Sequence, residues 1–206
     1  KVHAEFELAV KLDPRNAAAL ADLGEFDYSA PGIVGGGLDK ATQVAAQLDS
    51  VDPIRAAELR SRIAEQQKDY ATAEKYLKLA VERSPQPAFQ WMALASYYRR
   101  RKDWDGMQSA IQSGYRAAQH QPHAAVALYN GASILVQTGR DFDLARKMLT
   151  QYLSSPLKTE EGPAFVAHTW LARLDAALGD REAAKQEKAA ALALAQEYKP
   201  AQDLHF

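Results

Sequence analysis

Five prolines punctuate this chain, Pro14, Pro53, Pro85, Pro122 and Pro156, at intervals of 39, 32, 37 and 34 residues. Ahead of most of them runs an apolar stretch with a small residue in a recurring place: Phe6 and Ala9 before Pro14, and Ala73, Leu77 and Ala80 before Pro85. Self-similarity at this spacing describes stacked units, none of which buries its apolar face alone. Each proline also ends what precedes it, because its ring drives the residue before it out of the helical region. The constraint is therefore a linear stack of short helical units.

The local patterns agree with helices throughout. Val2, Phe6, Ala9, Val10 and Leu12 form a helical stripe, and Asn16 is a suitable N-cap for a second helix over about 16–28. Ser29 to Gly37 breaks the rhythm with Ala-Pro-Gly-Ile-Val-Gly-Gly-Gly over 30–37. Helix resumes near Leu38, and further helices are expected at about 54–67, 70–84, 87–101, 104–119, 123–138, 141–153, 162–178 and 180–198. The joints carry Lys68-Asp69, Lys102-Asp103, Gly139-Arg140-Asp141 and Gly179-Asp180. Glycine there suits a left-handed C-cap, and the following aspartate restarts the next helix. Glu74 and Lys78, like Asp143 and Lys147, have the spacing of helical ion pairs. The alanine-rich last helix, with Arg181, Lys185, Lys188 and Gln196 outward, reads as an end cap.

Composition narrows the chemistry. Among 206 residues, 25 basic and 26 acidic side chains nearly cancel, unlike a nucleic-acid or anionic-membrane surface. There is no cysteine, so disulfides, thiolate catalysis and Cys-based zinc sites are excluded. No apolar run approaches the roughly 20 residues of a membrane span. Starting at Lys1 within a helical pattern, the sequence reads as a trimmed or processed piece. Localisation is open, with a lean toward a bacterial exported or periplasmic protein on the absence of cysteine.

In register, these residues resemble the tetratricopeptide repeat family. Its 34-residue motif is approximated by Trp91, Leu94, Ala95 and Tyr98, then Ile111 and Gly114, counting from Ala88. Counting from Ile54 it gives Ala73, Leu77, Ala80 and Pro85. Leu20, Leu23 and Gly24 open another repeat, which Ala41, Ala45, Leu48 and Pro53 complete after an insertion of about five residues. Tyr129, Ala132, Ala145, Leu149 and Tyr152 form a further set, as do Leu171, Ala172, Gly179 and Ala184. Met107 departs from the pattern, standing where a small residue is preferred. The resemblance implies an all-α fold, a right-handed solenoid of antiparallel helix pairs in one repeat domain over 1–206. It divides into a half repeat at 1–15, repeats at about 16–53, 54–86, 87–122, 123–158 and 159–192, and a capping region at about 180–199. Small residues let backbones approach while aromatics fill the gaps, so Trp91, Leu94 and Tyr98 read as packing residues.

No constellation proposes catalysis: there is no Gly-x-Ser-x-Gly and no His-Glu-x-x-His. The 30–37 loop is not a nucleotide P-loop, since Leu38 follows Gly37 where Lys and Ser/Thr would be needed. It reads as a turn requiring positive backbone angles, with Ile33 and Val34 as a candidate loop contact to a partner. His120 and His123 form one close pair without further ligands beside them. The expectation is a non-enzyme with no cofactor and no metal.

The resemblance places the first helix of each pair on an inner groove. The residues facing it would be Arg55, Glu58, Arg62, Phe89, Met92, Ser96, Arg99, Asn130, Ile134 and Arg173, with Glu25, Tyr28, Glu65, Gln137 and Thr169 nearby. Aromatic and aliphatic anchors beside arginines are the composition of protein-binding hot spots. The expected function is a protein–protein interaction scaffold holding a peptide or helical segment of a partner. The alternative is the repeat arm of a larger exported or membrane-associated assembly protein. Nucleic acid and membrane insertion are not expected, and self-association through the uncapped N-terminal helix is a further expectation.

Overall fold

The computed structural model describes residues 2–121, 123–156 and 162–206. No strand occurs among them. The helices are α1 (Val2–Leu12), α2 (Ala17–Ser29), α3 (Leu38–Leu48), α4 (Pro53–Gln66), α5 (Tyr70–Arg83), α6 (Ala88–Arg101), α7 (Trp104–Ala118), α8 (Ala125–Thr138), α9 (Phe142–Ser154), α10 (Ala164–Ala177), α11 (Arg181–Leu194) and α12 (Lys199–Gln202). Consecutive helices pack as pairs: α2 on α3, α4 on α5, α8 on α9 and α10 on α11. The chain forms two compact units, Lys1–Gln90 and Trp91–Phe206. Pro122 and the stretch 157–161, where two expected repeats meet, lie outside the described residues.

The joints follow the chemistry expected of them. Asn16 accepts the Ala19 N–H, Asp52 those of Ile54 and Arg55, Asp69 that of Thr72, Asp103 that of Gly106, Asp141 that of Leu144 and Asp180 that of Ala183. Each such cap is worth about 1 kcal/mol. Gly139 and Gly179 take the left-handed conformation at φ 64° and 90°. Lys68 (φ 63°) and Lys102 (φ 60°) take it too, each immediately before its capping aspartate as Gly179 is. At both sites the helix end is closed by local bonds, Lys68 N–H to Glu65 O with Asp69 N–H to Ala64 O, and Lys102 N–H to Arg99 O with Asp103 N–H to Tyr98 O. That pattern calls for a left-handed residue at the helix end.

The first unit's core joins Leu20, Leu23, Val44, Leu48, Leu59 and Ile63, with Phe6, Val10 and Tyr28 packed against it. The second unit buries Leu94, Met107, Ile111, Leu135, Met148, Leu149 and Tyr152. The repeat's small positions are closed: Ala41, Ala73, Ala80, Ala95, Ala132, Ala145, Ala172 and Ala184 are all at 0% exposure. Backbones approach there closely enough that a larger side chain has no room.

Between α2 and α3 the glycine-rich insertion makes a 3-10 turn over Gly32–Val34 and then passes Gly35 (φ 102°) and Gly37 (φ 142°). A Cβ on Gly36 would run into the Ala30 carbonyl. The Gly37 N–H donates to the Asp27 carbonyl at 2.7 Å, and Lys40 Nζ donates to Gly35 O at 2.6 Å. The loop is thus pinned at its base while Ile33, 93% exposed, and Val34 stand out at its tip.

The final helix is shorter than its pattern indicates. α11 ends at Leu194 rather than near 198, and the chain turns back through α12. Pro200 stands in the first turn of α12, where its missing N–H leaves no helical bond unmade. The turn brings Ala201 to 0% exposure and sets Tyr198 edge-on to Phe165 with centroids 4.8 Å apart. Lys188 Nζ fastens the segment by donating to the carbonyls of Gln202 and Leu204. The cap of the second unit is therefore α11 together with this returning segment.

Candidate functional site

The residues expected on an inner face all lie on first helices: α2, α4 and α6, then α8 and α10. Within each unit the side chains of adjacent first helices reach across to one another. In the first unit Arg62 of α4 pairs with Glu25 of α2, and Gln90 Nε2 donates to Glu58 Oε1 at 3.1 Å. In the second, Arg99 Nη1 donates to Gln137 Oε1 at 2.5 Å, and Gln137 Nε2 donates to Ser133 Oγ at 2.9 Å. The partners that join neighbouring helices are 37, 32 and 38 residues apart, close to one repeat. Successive first helices consequently present the same face within a unit.

These contacts leave the candidates in different states. Arg55 is exposed and turns back to Asp52, its own helix's cap, at 3.3 Å. Glu58 is half-buried, and burial pushes its carboxyl above the ordinary range against the lowering effect of the Gln90 hydrogen bond and of Arg55. The guanidinium of Arg62 and the carboxylate of Glu25 are both half exposed, so their pair contributes below about 1 kcal/mol. Phe89 remains 39% exposed, an apolar ring on the first unit's surface. Ser96 is half-buried. Arg99 Nε is buried without a hydrogen-bond partner although Nη1 is engaged. Asn130 and Arg173 are exposed and have no polar partner among the described residues.

Met92 and Ile134 are placed differently from the expectation that they are groove anchors. They are 3% and 5% exposed, and the Met92 sulfur lies against Gly131 of α8. With glycine at that position, α8 leaves a hollow that a flexible thioether fills. Thr169 is likewise buried and bonds the Phe165 carbonyl of its own helix, while Tyr28 packs against the first unit's core. Sequence reasoning missed Gln90 and Ser133 as members of the polar ladder. The signal was present as an offset of about one repeat from Glu58 to Gln90 and as helical i, i+4 spacing from Ser133 to Gln137.

Away from this face, Asp27 is 2% exposed and sits 3.1 Å from His3 Nε2 beneath the glycine loop. Burial raises its carboxyl, opposed by His3 and Lys40. Asp175, also buried, meets Arg146 Nε at 2.7 Å. Among the described residues no group of three His, Cys, Asp or Glu side chains converges as metal ligands, and no helix is long and apolar enough to cross a membrane.

Helix pairs in register, closed small positions and lateral ladders one repeat apart all match one architecture. The chain has the tetratricopeptide-repeat fold. Solved structures with this fold superpose over nearly its full length. Yeast Tom70 aligns with a TM-score of 0.71 at 16% identity over 94% of this chain, which spans 39% of that one. YrrB, described as a TPR protein with an unusual peptide-binding site, aligns at 0.57 and 13% identity, covering 96% of this chain and 95% of its own. The thermophilic TPR protein TTC0263 of Thermus thermophilus aligns at 0.52 and 18% identity, covering 90% and 95%. No family model matches the sequence, and no curated protein matches it. The TPR fold is therefore legible here in three dimensions, where packing outlasts sequence identity.

Proposed function

We propose that this protein is a protein–protein interaction scaffold in which the first-helix face of each unit holds a peptide segment of a partner. The observation that carries this reading is the ladder of side chains one repeat apart, Glu25–Arg62 in one unit and Arg99–Gln137 in the other. A ladder fixes long polar side chains in place before a ligand arrives, which lowers the entropy lost on binding. Phe89 supplies an exposed aromatic anchor in the first unit, and Asn130 and Arg173 supply uncommitted donors in the second. YrrB, whose fold this chain shares, carries a peptide-binding site. Ile33 and Val34, held out by the pinned loop, form an accessory contact for the same partner.

Selection from a phage-displayed peptide library tests the proposal. The expected result is binders of the first unit that are lost on Phe89→Ala and binders of the second that are lost on Asn130→Ala with Arg173→Ala, while far-UV circular dichroism is unchanged. Binders that survive both variants would overturn the assignment of the face.

A further inference from the structure

The first helices of the second unit are charge-segregated to a degree that the peptide-binding reading does not require. α6 reads AFQWMALASYYRRR and α8 reads AVALYNGASILVQT, neither with a carboxylate. α10 has a single one, Asp175, which is 3% exposed and faces Arg146 of α9. The acids that follow these helices, Asp103, Asp141 and Asp180, each cap the next helix through their Oδ1 atoms. Cations are present on the same elements: Arg99 on α6 and Arg173 on α10. The first unit differs, because α2 and α4 intersperse Glu25, Glu58 and Glu65 with Arg55 and Arg62, and Glu25 already pairs with Arg62.

One further observation points outward from the second unit's face: Arg173 is exposed and has no acidic or polar partner among the described residues. Arg99 is half-buried, with Nη1 held on Gln137 Oε1. Asn130, exposed on α8, brings an amide donor to this surface, while the amide of Gln137 is held between Arg99 and Ser133. A face with arginine cations and an amide donor but no exposed carboxylate on its helices is complementary to an anionic chain.

We infer that the first-helix face of the second unit recognises an acidic peptide segment of a protein partner. Internal glutamate or aspartate side chains meet Arg99 and Arg173, and peptide carbonyls accept from Asn130. This deepens the scaffold reading and rests on it. The carboxylates are side chains, not a chain terminus, because arginines on α6 and on α10 offer separate points of contact for an extended segment.

Fluorescence anisotropy on the full chain tests this with a dye-labelled octapeptide of alternating glutamate and leucine, acetylated and amidated at its ends. A glutamine-for-glutamate counterpart is the neutral control. The glutamate peptide is expected to bind saturably, and about tenfold or more tighter than the glutamine peptide, as befits charge-assisted hydrogen bonds. Its affinity should fall as salt is raised from about 50 to 300 mM. Arg99→Gln with Arg173→Gln should remove most of the difference between the peptides. Arg173→Gln alone, at an exposed side chain without a partner, provides the same test should the double variant melt early.

Equal binding of both peptides would overturn the acidic specificity while leaving the scaffold reading in place. So would tighter binding of a leucine–glutamine peptide with a free C-terminus. No binding of the glutamate peptide overturns the inference, and the library selection then shows separately whether neutral peptides are bound.

Discussion

Gly131 on α8 offers a sharp test of how the second unit is packed. A methyl group there would lie 2.7 Å from Met92 Sδ and 3.0 Å from Met92 Cε, and would also collide with the end of Met148. Ordinary contact between such atoms is about 3.5–4.0 Å, so both thioethers must move by most of an ångström. Met92 is 3% exposed and Met148 is 0% exposed, which leaves them little space to move into. Gly131→Ala gains about 1 kcal/mol of helix propensity and about 0.8 kcal/mol from the buried methyl. Overpacking of a closed core costs about 1–3 kcal/mol. With two core side chains displaced, the upper part of that range applies, and the net change is a loss of about 1 kcal/mol.

The cycle with Met92→Ala separates the terms. Met92→Ala alone should cost about 2–5 kcal/mol, as for a buried methionine. In that background Gly131→Ala has a hollow to enter and should be stabilising by about 1 kcal/mol, a coupling of about 2 kcal/mol. Urea unfolding followed by circular dichroism gives each value, provided that the slope stays constant. If Gly131→Ala stabilises the parent, or changes stability equally in both backgrounds, the packing argument fails. A Met92→Ala variant of parental stability would return Met92 to the surface role first expected of it.

Other outcomes follow from the same structure. Burial holds the Asp27 carboxyl above its ordinary value, so the folded state keeps this proton to higher pH than the unfolded chain does. Its contribution to stability is therefore greatest at low pH and declines as pH rises from about 4 through the raised value; Asp27→Asn should flatten that limb, and urea melts between pH 3.5 and 7 would show it unchanged if the argument is wrong. The opposite sign holds at Asp49, whose carboxyl is lowered chiefly by its hydrogen bonds from Arg60. That contribution is present above the ordinary carboxylate range and fades as pH falls through the lowered value; because the pair is partly exposed, Arg60→Gln should cost below about 1 kcal/mol at pH 7. Asp103→Ala leaves the Gly106 N–H without its 2.9 Å acceptor and should cost about 1 kcal/mol in thermal or urea denaturation. Lys102→Gly relieves a positive φ of 60° and should raise stability by a few tenths of a kcal/mol or more, whereas the same change at exposed Lys78 within α5 should lower it by about 0.5–1 kcal/mol.

The repeat register placed Arg62, Phe89, Arg99, Asn130 and Arg173 on first helices, and they stand there. The register could not say which of them were already engaged. Arg62 finds Glu25 and Arg99 finds Gln137 only because adjacent first helices come side by side. Periodicity also could not separate a groove methionine from a core methionine. Met92 and Ile134 satisfy a surface position in the motif, yet glycine at 131 and the closeness of the helices draw Met92 inward.

Local chemistry in this chain is strong and short in range. Proline stops, aspartate caps and glycine turns act within four or so residues, so the helices, their joints and the repeat order follow from the sequence itself. The tertiary structure decided what depends on approach between distant segments: the closure of the small positions, the returning segment beyond Leu194 and the lateral ladder. Those features arise from packing free energy shared across helices about a repeat apart, which no window along the chain contains.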